Sequence, residues 1–137
     1  MTRTIAGWTL SFIGCLLLTG CGGGPTGPTL YKVSGSVSFD GAPVEVGRIE
    51  FRRAEGDKRA FSGEIKGGSY SLQCEAGKVD VVITASRIIP GKFDTSNPDD
   101  PPQPVGEMYI PEKYNAKSTL TAEVKSGSND IPFDLKK

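Results

Sequence analysis

The stretch Tyr31-Lys32-Val33-Ser34-Gly35-Ser36-Val37-Ser38-Phe39-Asp40-Gly41 decides the fold. Tyr31, Val33, Gly35, Val37 and Phe39 alternate with Lys32, Ser34, Ser36, Ser38 and Asp40. A one-sided apolar face that recurs every second residue is the period of a half-buried strand, not of a helix. Asp40-Gly41 then offers two residues that tolerate positive φ at a tight reversal, and Pro43 stiffens the exit.

Working downstream, the same pattern returns. Ile49 and Phe51 alternate with Arg48, Glu50 and Arg52, and the polar run Ala54 to Arg59 reads as a loop. Phe61, Gly63 and Ile65 give a third strand, Lys66-Gly67-Gly68 a turn, and Tyr70, Leu72 and Cys74 a fourth. Val79, Val81, Ile83 and Ala85 give a fifth, in which Val82 breaks strict alternation. From Ser86 to Thr119 the alternation stops, and the prolines at 98, 101, 102 and 104 lack the donor a ladder needs, so 86–119 is expected to be one long loop. Within it, 109–114 is expected to return to the core, with Pro111 opening a single helical turn. Leu120, Ala122 and Val124 resume a strand, 126–129 turns, and Ile131, Phe133 and Leu135 close the chain, with Pro132 marking an edge or a bulge. Seven short strands at this spacing predict an all-β chain, a seven-stranded antiparallel β-sandwich over 30–137.

Upstream of the first strand the character changes. After Arg3, residues 5–18 form an apolar run that ends in small residues, the order of a secretory signal. As a helix this run spans about 21 Å, short of a hydrocarbon core of about 30 Å, so a permanent span is not expected. Leu18-Thr19-Gly20-Cys21 resembles the lipobox of bacterial lipoproteins. The resemblance implies cleavage before Cys21, lipid on its thiol and residues 1–20 removed as a signal peptide. The Gly- and Pro-rich 21–29 is expected to be a flexible tether. The resemblance places the protein in the bacterial cell envelope, held to a membrane through lipid on Cys21. Gly22, where an Asp would signal inner-membrane retention in that family, points to the outer membrane.

A second resemblance lies in the domain itself. Gly35-Ser36-Val37 with Asp40-Gly41-Ala42-Pro43, Gly68-Ser69-Tyr70, and Ala76-Gly77-Lys78-Val79-Asp80-Val81 resemble the carboxypeptidase regulatory-like and transthyretin-like domains. Ala76 stands where Pro is usual and Val79 where an aromatic is usual. The resemblance covers about residues 30–85 and implies a prealbumin-like, Ig-like sandwich with a binding or structural role. Relatives of that family that hydrolyse a purine breakdown product use histidines and a C-terminal Tyr-Arg-Gly-Ser, and this chain has neither.

Composition narrows the function classes. The chain of 137 residues carries 16 basic and 16 acidic side chains and no histidine. A balanced charge gives no counterion-release term for nucleic acid, and the missing histidine removes the commonest general base and metal ligand. No cofactor, metal or catalytic residue is expected. Of three cysteines, Cys15 falls in the signal and Cys21 takes lipid, which leaves Cys74 on the apolar face as a buried, inert thiol. Asp94, Asp99 and Asp100 read as a solvated loop, not a calcium site, and Arg48, Arg52, Arg53, Lys58 and Arg59, interleaved with Glu50, Glu55 and Asp57, as a mixed surface. The aromatic residues Tyr109 and Tyr114 are the candidate contacts for a ligand or partner. Three function classes follow in order: a lipid-anchored, non-catalytic envelope module meeting another envelope protein or a glycan; a small-molecule or glycan-binding lipoprotein that uses 86–119; and, last, a hydrolase.

Overall fold

The computed structural model describes residues 27–137. The signal segment, Leu18, Thr19, Gly20, the lipidation site Cys21 and most of the tether therefore lie outside the described residues. Among the described residues no helix is long and apolar enough to cross a membrane.

The chain is all-β. In order it forms β1 (Leu30–Phe39), β2 (Ala42–Pro43), β3 (Val46–Arg53), β4 (Ala60–Lys66), β5 (Ser69–Glu75), β6 (Gly77–Thr84), β7 (Ser86–Asp94), β8 (Gln103–Met108), β9 (Leu120–Val124), β10 (Asn129–Asp130) and β11 (Phe133–Leu135). Between β8 and β9, Glu112–Tyr114 makes one 3₁₀ turn that follows Pro111, as the fixed φ of proline favours. The main sheet has nine strands and runs β10-β1-β5-β4-β3-β6-β9, with β2 and β11 also pairing β1. Asp40 and Gly41 sit at φ 49 and 84, which is the reversal their types allow at the β1–β2 turn.

The sheet curls upon itself. β4 and β5 pair only at Ile65↔Tyr70 and Lys66↔Ser69, so the strands part beyond their turn and carry two leaves over one core. Phe51 of β3 is fully buried in that core, with the rings of Tyr70 and Phe133 from the other leaf at 6.1 and 6.3 Å. The inward alternating sets close around it: Val33 and Val37, Ile49, Ile65, Leu72 and Cys74, and Val79, Val81 and Ile83 are all buried. Each such aliphatic or aromatic side chain contributes roughly 1.5–3 kcal/mol of apolar burial.

Three sequence expectations need correction. The described residues hold eleven strand segments, not seven, and their pairing is not wholly antiparallel. β10 and β11 run parallel to β1, in register Val33↔Asn129 and Val37↔Phe133, on the side that β5 and β2 leave free. Asn129, expected in a turn, both starts β10 and closes the preceding loop, its side-chain amide donating to the Lys125 carbonyl at 2.8 Å while its Oδ1 accepts the Lys125 N–H at 2.8 Å. Pro132, which has no N–H, separates β10 from β11 as a break within one edge. The chain crosses so close to β1 that a Cβ on Gly35 would overlap the Ile131 carbonyl oxygen. That carbonyl instead accepts the Tyr70 hydroxyl at 2.7 Å, and the Ile131 N–H donates to Ser34 O at 2.8 Å.

The third correction concerns 86–119. It holds β7 and β8, which pair as a separate two-stranded antiparallel ribbon with an irregularity between Ile88 and Phe93. Pro104 does join this ladder, opposite Phe93, because each strand of a two-stranded ribbon keeps one unpaired side where a missing donor costs nothing. The connecting residues 95–102 are all exposed. Replacing them with a two-residue Asn-Gly turn is expected to change the unfolding free energy by only about 1 kcal/mol, since loop closure costs about 0.6 kcal/mol for each doubling of length. Urea denaturation measures it, and a loss of several kcal/mol would make this connection structural.

Candidate binding groove

A concave groove lies where β1 ends. Phe39 and Asp40, the β2 pair Ala42–Pro43, and Glu45 with Val46 form one wall. Ser86, Arg87 and Ile88 of β7 form the other, with Tyr109, Pro111 and Lys137 closing the end. The volume is about 780 Å³, within the range of small-molecule sites. The groove exists because β3 begins only at Val46, whereas β7 continues past it with no strand beside it on that side. The walls are mainly apolar, and two of the largest exposed apolar side chains, Val46 at 68% and Ile88 at 60%, belong to them.

Tyr109 is held from three directions. Its N–H donates to Ala85 O at 3.2 Å, its ring meets Phe39 edge to face at 5.8 Å, and the Arg87 guanidinium lies 5.7 Å from its ring centroid. Arg87 is in turn fixed by Glu107, which accepts from Nε at 2.8 Å and Nη2 at 2.7 Å. Burial pushes the Tyr109 phenol above its ordinary pKa, with Arg87 opposing and Glu45 reinforcing the shift.

The two tyrosines singled out from sequence separate. Tyr109 lines the groove, whereas the Tyr114 hydroxyl accepts the Lys136 N–H at 2.9 Å and Lys113 Nζ sits 5.2 Å from its ring centroid, so Tyr114 pins the C-terminal segment instead. The arginine cluster also divides. Arg53 and Arg59 bind Glu75, a carboxylate only 7% exposed, at 2.9 and 2.7 Å, and both contact Asp57, while Arg52 pairs with Glu50. These side chains staple the β3–β4 loop to β5. Cys74 is fully buried and free, and burial pushes its thiol up to about 11, away from the thiolate a reactive cysteine needs. Asp94 accepts the Ser96 N–H at 2.9 Å and Asp100 the Asn97 amide at 2.6 Å. Among the described residues no three His, Cys, Asp or Glu side chains converge as a metal site.

Sequence reasoning missed Phe39, Glu45, Val46, Arg87 and Ile88 as groove residues. The signal available was the apolar Ile88-Ile89 and Phe93 in a stretch otherwise rich in charge and proline.

No protein-family model and no curated protein matches the chain. Among solved structures it is similar to a DUF3823 family protein from Parabacteroides merdae, at 14% identity over 79% of this chain and 46% of that one, with a TM-score of 0.44. It is also similar to a 9R-lipoxygenase from Cyanothece, at 13% identity over 82% of this chain and 17% of that one, with a TM-score of 0.40. The chain thus spans less than half the length of either protein, and neither likeness assigns it an activity.

Proposed function

We propose that this is a lipid-anchored, non-catalytic binding module of the bacterial cell envelope, a prealbumin-like β-sandwich that takes an apolar ligand in the groove between β2 and β7. The observation that carries the reading is the groove itself: a preformed concavity of about 780 Å³ lined by the exposed Val46 and Ile88. Large apolar side chains cost free energy when left in water, and such side chains lining a cleft favour an apolar body within it. The hydroxyl of Ser86 and the Tyr109 phenol supply polar groups for orientation. The alternative of a glycan ligand is disfavoured because Tyr109 already has Phe39 on its edge and Arg87 over its ring, leaving less open face for a sugar to stack on.

The anchor reading rests on Leu18 to Cys21, and the domain geometry is compatible with it. β1 starts at Leu30 near the tether and reaches the groove at Phe39, so the groove lies about 30 Å along the strand from the anchored end. A partner or ligand would then be met on the side away from the membrane.

The test is fluorescence of the neutral dye N-phenyl-1-naphthylamine with the full-length protein. Val46→Asn and Ile88→Asn, both at exposed positions and so expected to fold, should each weaken binding about fivefold or more. Binding that neither substitution alters would refute the groove as the site.

A further inference from the structure

We propose that the groove selects alkylammonium compounds, an amine carried on an apolar body, with the cationic head held between the Glu45 carboxylate and the corner made by the Phe39 and Tyr109 rings. The proposal rests on the binding reading above and adds the chemical class of the ligand.

Charge is the first reason. Among the described residues, four charged side chains border the groove: Asp40, Glu45, Arg87 and Lys137. Arg87 is spent on Glu107, which accepts from two of its nitrogens. Asp40 Oδ1 accepts the Lys137 backbone N–H at 2.9 Å, which ties these two residues together on the rim. Glu45 is exposed, faces the groove and has no ion-pair partner among the described residues. With Arg87 paired to Glu107, the groove presents the carboxylates of Asp40 and Glu45 against the single ammonium of Lys137, and only that of Glu45 has no hydrogen bond or ion pair among the described residues. An anionic ligand would meet that carboxylate as a like charge, which disfavours it. A cation would complete it.

The aromatic corner is the second reason. Phe39 and Tyr109 meet at 63°, so their rings form two walls of an angle and not a flat stack. Ring faces attract cations within about 6 Å of the centroid, and angled aromatic walls beside a carboxylate are the chemistry that holds ammonium heads. Arg87 already lies 5.7 Å from the Tyr109 centroid, so the ligand's head is met chiefly by the Phe39 ring and the Glu45 carboxylate. Val46 and Ile88 then extend the apolar contact beyond the head, which fits an alkyl or aryl body attached to the amine.

The experiment uses the full-length protein and two fluorescent probes, dansylcadaverine, which ends in a primary amine, and a dansyl-labelled fatty acid, which ends in a carboxylate. The amine probe is expected to bind about tenfold tighter. Glu45→Gln should weaken the amine probe about five- to tenfold, as loss of one charge-assisted contact does, and leave the carboxylate probe unchanged or tighter. Ile88→Asn should weaken the amine probe too. If the neutral dye binds in the groove but the carboxylate probe binds as well as the amine, or Glu45→Gln changes nothing, the ammonium selectivity is wrong and the groove stands. If no probe responds to Val46→Asn or Ile88→Asn, both the selectivity and the groove reading fall.

Discussion

Phe133→Ala is expected to lower the unfolding free energy by about 3–5 kcal/mol, a large part of the roughly 5–15 kcal/mol available to a domain of this size. The size follows from where the ring sits. Phe133 is only 8% exposed and lies 6.3 Å from Phe51 and 6.1 Å from Tyr70, so its removal opens a void between the two leaves of the curled sheet. The void cannot collapse easily, because β11 is held to β1 in the register Val37↔Phe133 and by the Ile131 contacts just before it. Chemical denaturation compares it with the shortened β7–β8 connection. The truncation should lower the midpoint strongly while the shortening moves it by only about 1 kcal/mol in equivalent free energy. Equal losses in the two variants would mean that the exposed connection, not the inter-leaf aromatic cluster, holds the fold.

The contrast between those variants follows what the sequence makes visible. A strand that buries one face writes its orientation into a two-residue period, and so Val33, Val37, Ile49, Phe51, Leu72, Val79 and Val81 are legible as core from the alternation alone. β7 and β8 bury neither face: Ile88, Phe93 and Met108 are each more than half exposed, so no one-sided period exists to be read. Their prolines argue against a ladder, which holds for a central strand and not for a ribbon with open sides. The parallel placement of β10 and β11 is hidden for another reason. It depends on a non-local fit, Gly35 giving room to Ile131, and nothing in the alternation of Ile131, Phe133 and Leu135 distinguishes a parallel neighbour from an antiparallel one. The groove is harder still, since it gathers residues from the end of β1, the start of β3, β7 and the segment after β8. Tyr109 and Tyr114 look equivalent in sequence, and only the turn at Glu112–Tyr114 sends the second to the C-terminal segment.

The largest expected effect is on location. Cys21→Ser, expressed in a host that processes lipoproteins, should move the protein from the membrane fraction to the soluble fraction, and the native protein should carry the added mass of its acyl chains. One acyl chain gives only marginal, reversible adsorption, with a partition constant of about 10⁴ M⁻¹, and each further buried methylene adds about 0.8 kcal/mol, so two or three chains hold a protein of this size on the membrane. The charge balance offers no substitute, because 16 basic residues are matched by 16 acidic ones and leave little polybasic attraction for anionic lipid. The same variant also separates anchoring from binding. The groove begins at Phe39, at the opposite end of β1 from Leu30, and no described residue that lines it belongs to the tether. Released Cys21→Ser protein should therefore bind N-phenyl-1-naphthylamine as tightly as the wild type. Membrane fractionation that survives the substitution, together with a native mass free of acyl groups, would overturn the anchor, and it would do so without touching the groove.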